Sequence, residues 1–398
     1  MRPLLLAAVL AVAPGAPLSA QDAHPPDEGP APVVIGETIT IRSEILGEDR
    51  RIHVQLPDGY EAEPDARYPV LYVLDGAAPG PFTYVGGLVG FLSSGYQLPR
   101  MIVVGVPNIE RTRDLTSPRD RTWWFRHILS EPDSLLHPIE SDSTGGADAF
   151  LDFLTEELAP QIDRRYRTAP FRVLMGHSLS GFFATRTFLT RPESFHAYIA
   201  SSPTLIWNDR ELVRNARHAL AGHADEPRFF YAAVGDREDQ LLSPASELAA
   251  VLEMHAPPGL RWWYRANPGE THQSNPVLAY AEGLKTVFQD VALSEGFLLT
   301  GDLDMLEARL ARASETYGYA IVPSAEFLNL MGASQLMLGR TDAAIQVLER
   351  SVELHPSSAG VRDGLAAALE AAGRSAEALE RSEEAVRRAT AIDHPQLE

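Results

Sequence analysis

The 398-residue chain contains no cysteine. That absence removes disulfides, thiolate metal sites, a cysteine nucleophile and a lipid anchor on cysteine. Lysine is almost as scarce: Lys285 stands alone, so arginine carries the positive charge of a chain whose formal net charge is −20. Nucleic acid and anionic membrane both need a positive footprint, and this acidic balance argues against either as a partner. The 12 histidines are scattered. No H-E-x-x-H occurs, and His218 and His223 are five apart, a spacing that does not place them on one helix face. No metal and no other cofactor is expected.

With 45% hydrophobic and 22% charged residues, the composition is that of a globular chain long enough for one large core and a smaller module. Residues 1–20 have the three parts of a secretory signal peptide: Arg2, an apolar run over residues 4–12, then Ser19-Ala20 before polar Gln21. The run is too short to span a bilayer. The expectation is cleavage near Ala20, a periplasmic or secreted protein, and no membrane contact afterwards. Residues 21–32 hold four prolines and a glycine between His24 and Pro32 and read as an extended linker.

From residue 33 the pattern turns to short strands. Residues 38–45 and 51–56 alternate apolar and polar, as paired antiparallel strands do. Residues 68–74, 101–106, 172–175, 197–200 and 229–234 are instead continuous apolar runs, suited to strands buried on both faces of a parallel sheet. Helical stretches at 147–166, 182–189, 209–220 and 243–254 separate several of them. The alternation predicts an open α/β sheet with helices on both faces over residues 33–290.

Beyond Val291 the chain becomes alanine- and leucine-rich helix with an internal repeat. Gly339-Arg340, Ala344-Ile345 and Val352 recur 34 residues later as Gly373-Arg374, Ala378-Leu379 and Val386. That is the tetratricopeptide period, one helix–turn–helix per unit. Residues 291–398 are therefore expected to form a small helical repeat module. So few units bury little alone, so the module should lean on the sheet domain and could offer a surface to a protein partner.

The segment Arg172-Val-Leu-Met-Gly176-His177-Ser178-Leu179-Ser180-Gly181 reads strand, sharp turn, helix. It is close to the G-x-S-x-G elbow, in which a strained turn lifts a serine hydroxyl clear of the sheet. Ser180 stands where the second glycine should be. A serine nucleophile needs a base within reach and an acid to orient that base, and on α/β-hydrolase sheets these follow in the order serine, acid, histidine. Gly235-Asp236-Arg237-Glu238-Asp239 follows one apolar run, and His272 follows the strand expected at 261–265. His272 is the one downstream histidine in a loop after a sheet strand, whereas His177 should point away from Ser178. Glu238 is the first choice of acid, with Asp236 and Asp239 left open. The backbone N–H of Leu179 is the first oxyanion donor, and that of Ala77, after Asp75-Gly76, is the second.

These residues resemble the putative esterase family of α/β-hydrolases, which includes siderophore esterases, feruloyl esterases, S-formylglutathione hydrolases and mycolyltransferases. The resemblance rests on Val70-Leu-Tyr-Val-Leu-Asp75-Gly76, on Gly105-Val-Pro-Asn108-Ile-Glu-Arg111-Thr-Arg113-Asp114-Leu-Thr116-Ser-Pro118, on the elbow, and on Thr271-His272. The second segment is most similar to the siderophore-esterase-like branch. The resemblance covers roughly residues 33–290 and implies a serine esterase acting on a small-molecule ester through Ser178 and His272. Arg111, Arg113, Arg119, Arg121 and Arg126 crowd one segment beside Trp123-Trp124-Phe125. Arg113, Trp124 and Arg126 are candidate contacts for an aromatic or anionic acyl group; the competing reading pairs these arginines with Asp114 and Asp120. Two other functions fit the same sequence: acyl transfer from the same acyl-enzyme, and a non-catalytic scaffold that presents the helical repeats.

Overall fold

The computed structural model describes residues 32–124 and 143–391. The chain divides into two units, Met1–Ile35 and Gly36–Glu398. Of the first, residues 32–35 alone are described, and they take no regular secondary structure. The expected leader at 1–20 and residues 21–31 of the expected linker lie outside the described residues, as does Arg126.

In the second unit the strands are β1 (Glu37–Ser43), β2 (Glu48–Gln55), β3 (Tyr68–Leu74), β4 (Ile102–Val106), β5 (Thr168–His177), β6 (Ala197–Ser201), β7 (Arg228–Gly235) and β8 (Leu260–Asn267). They form one sheet in the order β1-β2-β4-β3-β5-β6-β7-β8. β1 pairs antiparallel with β2, and β2 with β4; from β4 through β8 every pairing is parallel. The alternating sequence of β1 becomes an alternation of buried and exposed residues, with Ile39 and Ile41 turned inward. All seven residues of β3 are buried, as its continuous apolar run predicts.

Successive side chains on each central strand go to opposite layers. Tyr72, Leu74, Tyr198 and Phe230 join one core with Phe150, Phe182 and Phe188. Leu71, Val73, Ile199 and Tyr231 join the other with Phe82, Val85 and Leu284. Helices therefore cover both faces. One of them, Pro81–Ser94, has no counterpart in the sequence reading. Gly86, Gly87 and Gly90 lie inside it, and each interior glycine costs about 1 kcal/mol relative to alanine, so local propensity argues against a helix there. Burial of Phe82, Val85 and Val89 against the sheet overrides that preference.

After residue 291 the helices are Glu295–Thr300, Leu303–Tyr317, Ala325–Met337, Thr341–Leu354, Ala359–Ala371 and Ser375–Ala391. The 34-residue sequence repeat is also a repeat of backbone. Gly339 and Gly373 are left-handed (φ 73° and 76°), and each starts the same turn. Arg340 N–H closes on Gln335 O and Arg374 N–H on Leu369 O, both at 2.9 Å, which ends one helix and opens the next. These helices lean on the sheet layer through Tyr317, whose ring lies 5.3 Å from Phe229 and 5.5 Å from Phe288 and whose hydroxyl donates to Val287 O at 2.7 Å. Among the described residues no helix is long and apolar enough to cross a membrane.

Candidate active site

β5 ends at His177, and the helix Leu179–Thr190 begins two residues later. Ser178 links them at φ 61°, ψ −118°, a conformation that costs a non-glycine residue strain and is kept by its surroundings. Ser178 N–H donates to Ser201 O at 3.0 Å, and the helical ladder starts with Phe182 N–H on Ser178 O at 2.8 Å. The turn is tight enough that a Cβ on Gly176 would lie 2.5 Å from the Ser180 carbonyl, so residue 176 must be glycine. Ser180 fits its own position, buried, and the close approach to β6 falls one residue later: a Cβ on Gly181 would meet Ser201 O at 2.9 Å.

The loops after β7 and β8 meet the elbow at this same end of the sheet. His272 Nε2 lies 3.0 Å from Ser178 Oγ, and His272 Nδ1 lies 2.7 Å from Glu238 Oε2. The other carboxylate oxygen of Glu238 accepts Gly235 N–H and Ser202 Oγ–H, both at 2.7 Å. Burial works to raise the Glu238 pKa, but the hydrogen bonds from His272, Ser202 and Gly235 outweigh it and hold the carboxyl below its ordinary value. Of the two alternatives, Asp236 accepts Gly269 N–H at 2.8 Å, bracing the loop that carries His272, and Asp239 is the exposed first residue of the helix Asp239–His255.

His177 makes its hydrogen bond to the loop that carries His272. Its Nε2 meets the backbone carbonyl of His272 at 2.8 Å, and the two rings lie 4.5 Å apart. Burial, then the neighbouring His272, lowers its pKa to about 4, so at neutral pH it is an uncharged donor to the loop carrying His272.

Leu179 N–H belongs to the first turn of its helix, where backbone donors have no partner within the helix. Ala77 N–H is placed differently from the expectation: it closes a short turn on Asp75 O at 2.8 Å. Asp75 is itself left-handed, at φ 54°. Its carboxylate accepts Arg111 Nε and Nη2 at 2.8 Å each, Ser180 Oγ–H at 2.5 Å, and Asn108 Nδ2.

The arginine-rich segment is divided in its roles. Arg113 is held by Glu48 at 2.7 Å and by Asp114 at 2.8 Å, and Asp114 also pairs with buried Arg50. Arg113 thus fixes the short helix Arg111–Leu115 to β2, which is the structural alternative to substrate contact. Asp120 caps the turn at residues 121–124, accepting Thr122 and Trp123 N–H at 2.9 and 3.0 Å. The Trp124 ring lies 4.0 Å from the Arg119 guanidinium and 5.9 Å from the ring of Trp207.

Sequence reading missed Ser202 and Thr204. The Thr204 hydroxyl lies 3.3 Å from Ser178 Oγ, and its N–H donates to Ser178 O at 3.2 Å. The available signal was position: Ser201-Ser202-Pro203-Thr204 follows directly on an apolar run, at the strand end where sheets of this kind place their sites. Also missed was the backbone at Asn208, Asp209 and Arg210, three left-handed residues within Trp207–Leu220. Asn208 holds them there by accepting Asp120 N–H and donating to Pro118 O and to Glu211, all at 2.9 Å.

A family model described as Putative esterase matches residues 43–282. Ferri-bacillibactin esterase BesA of Bacillus subtilis is 29% identical over 240 residues, 58% of this chain and 83% of that protein. The siderophore enterobactin esterase of Emericella nidulans is 35% identical over 138 residues, 31% of this chain and 42% of that protein. The crystal structure of an IroE-like serine hydrolase from Shewanella oneidensis superposes with a TM-score of 0.66 at 27% identity, covering 80% of this chain and 99% of that one. With its α/β-hydrolase sheet and a family segment that spans more than half of its length, this chain belongs to the putative esterase family and is a carboxylic ester hydrolase.

Proposed function

We propose that the protein cleaves its ester through an acyl-enzyme on Ser178. His272 Nε2 takes the Ser178 proton as Oγ attacks the carbonyl carbon, and returns that proton to the departing alcohol as the ester C–O bond breaks. In the second half His272 takes a proton from water, whose oxygen attacks the acyl carbon, and gives it to Ser178 Oγ as the bond from the acyl carbon to Oγ breaks and the free acid leaves. Glu238 orients His272 and stabilises the imidazolium. Leu179 N–H and Ala77 N–H receive the oxyanion, Ala77 by turning from Asp75 O. The observation that carries this reading is the unbroken chain Ser178–His272–Glu238, with links of 3.0 and 2.7 Å.

Two of the relatives named above are esterases of ferri-bacillibactin and of the siderophore enterobactin, which makes siderophore esters the first substrates to try. The leader-like residues 1–20 support export to the periplasm or medium. Residues 33–290 are read as the catalytic domain and 291–398 as an appended helical module. A fluorophosphonate probe tests the core of the proposal: peptide mapping should place the adduct on Ser178, and Ser178→Ala should abolish hydrolysis of p-nitrophenyl and siderophore esters alike. Labelling elsewhere, or retained turnover in that variant, would overturn it. Supplying glycerol as acceptor and finding glyceryl ester in place of free acid would favour acyl transfer.

A further inference from the structure

Two chain segments, far apart in sequence, carry the two proposed oxyanion donors: the start of the helix Leu179–Thr190 and the turn after β3. One side-chain hydrogen bond joins them, Ser180 Oγ–H to Asp75 at 2.5 Å. Ser180 is completely buried, and it occupies the elbow position that the general G-x-S-x-G pattern gives to glycine. A glycine there would leave the two segments without this side-chain link.

We infer that Ser180 is a positioning residue, which sets the separation of the Leu179 and Ala77 N–H groups by tethering the elbow to the Asp75 carboxylate. The inference rests on the acyl-enzyme reading above. Asp75 is suited to act as the anchor, because a carboxylate has about four acceptor sites and four donors reach this one: two from Arg111, one from Asn108 and one from Ser180. Its carbonyl accepts Ala77 N–H at 2.8 Å, the bond that Ala77 leaves in turning to the oxyanion, and the N–H between them, that of Gly76, is fixed on Val106 O at 3.1 Å. The Arg111 guanidinium also reaches His177 O at 3.5 Å, so the cluster touches the backbone on both sides of Ser178. Oxyanion donors stabilise the transition state only when they lie about 2.7–3.1 Å from the developing charge. A link that fixes the spacing of two such donors therefore acts on turnover, and hardly on ground-state binding.

The test uses the full-length protein with p-nitrophenyl butyrate, rates being normalised to active sites titrated with a fluorophosphonate. Loss of a whole oxyanion donor costs about 10²–10³ in kcat, so loosening both by Ser180→Ala or Ser180→Gly should lower kcat by roughly 10–10² with KM within about twofold. Affinity for a phenylboronate, which forms a tetrahedral adduct on Ser178, should fall in step, while inhibition by the planar product butyrate stays unchanged. Asp75→Asn should do the same, and the S180A/D75N double variant should lose no more than D75N alone, because the two groups act as one unit. Wild-type kcat in S180A and S180G, or a raised KM at unchanged kcat, would overturn the inference while Ser178 still takes the probe. Full turnover in Ser178→Ala would overturn the acyl-enzyme reading, and this inference with it.

Discussion

Replacing Glu238 by glutamine changes charge and hydrogen-bonding sense but almost no volume. Three donors face this side chain: His272 on one oxygen, Gly235 N–H and the Ser202 hydroxyl on the other. Ser202 can rotate its proton away, but Gly235 N–H cannot. The glutamine oxygen is therefore held at Gly235, and the glutamine NH2 is turned on His272 Nδ1. A donor there fixes the tautomer that carries its proton on Nε2, which cannot accept from Ser178. Flipping the amide would restore the useful tautomer by setting NH2 against Gly235 N–H, at a cost of about 1–3 kcal/mol, or roughly 5- to 150-fold in competent enzyme. The imidazolium also loses its anionic neighbour, and a charge pair at contact is worth about 4 kcal/mol at an effective dielectric near 20. Part of that is recovered from the amide dipole, so the total expected fall in kcat is about 10³–10⁴, its upper end matching the roughly 10⁴ lost on amide replacement of the acid in a serine triad.

Stopped-flow with p-nitrophenyl butyrate reads this directly, since acylation should slow while KM hardly moves. Glu238→Asp, one methylene shorter with the same acceptor sense, should lose much less. Turnover in Glu238→Gln within about tenfold of wild type would refute the reasoning and leave a serine–histidine pair sufficient. The same substitution has a stability effect of known sign. The native Glu238 pKa lies below its ordinary 4.5, so its contribution is complete above that value and is lost as pH falls through the lower native value. The glutamine variant should therefore be less stable at pH 7, and it should lose less stability than wild type on acidification below about 4.5.

Three further perturbations test the scaffold. His196 is held neutral in the fold, its pKa lowered to about 4 by burial and then by Arg228 and Arg172, so native stability should decline as pH falls from 6.5 towards 4; His196→Asn, which keeps an acceptor for Arg172 N–H, should flatten that slope in urea titrations, and an unchanged slope would contradict the assignment. Asn208→Ala removes three hydrogen bonds and leaves a non-polar residue in a left-handed turn, which should cost about 2–3 kcal/mol by urea unfolding and alter the ratio of aryl to alkyl ester turnover, because Asn208 anchors the backbone beside Trp124; unaltered stability would refute it. Tyr317→Ala empties a site packed by Phe171, Phe229 and Phe288 and should lower stability by about 3–5 kcal/mol while active-site-normalised kcat stays within about twofold, whereas Tyr317→Phe, losing only the bond to Val287 O, should cost about 1 kcal/mol.

What could be read without coordinates divides along a physical line. The central strands were legible because burial on both faces leaves one kind of residue at every position, as in β3, and because each run ends where the chain must turn. Ser178 and His272, the proposed nucleophile and base, stood out for a related reason: chemistry at the ends of parallel strands needs few residue types, and those few lay directly after apolar runs. Glu238 could not be separated from Asp236 and Asp239 in sequence, since three acidic residues in one turn differ only in direction. In the fold Glu238 is turned inward onto His272 Nδ1, and the other two are exposed. The helix Pro81–Ser94 was illegible because its glycines obey packing against the sheet, a long-range demand with no local period.

Ser180 shows the same division within a single motif. Read locally, it is an elbow with a flaw, since the pattern asks for the smallest residue two positions after the nucleophile. In the folded chain the steric demand is met by Gly176 and Gly181, which face Ser180 and Ser201 closely enough to exclude any side chain. Residue 180 is thereby released from the need to be glycine, and its hydroxyl finds a partner 105 positions upstream in Asp75. Asp75 in turn is held by Arg111 and Asn108, which come from the segment after the neighbouring strand. The departure from the pattern and the polar run after β4 are therefore one feature seen at two places in the chain. Exchanging Ser180 for glycine should leave the fold intact, because Gly176 and Gly181 still carry the sterics, and should weaken turnover, because the donors are no longer tied. An elbow that became faster on receiving its usual glycine would show that Asp75 serves only the loop in which it sits.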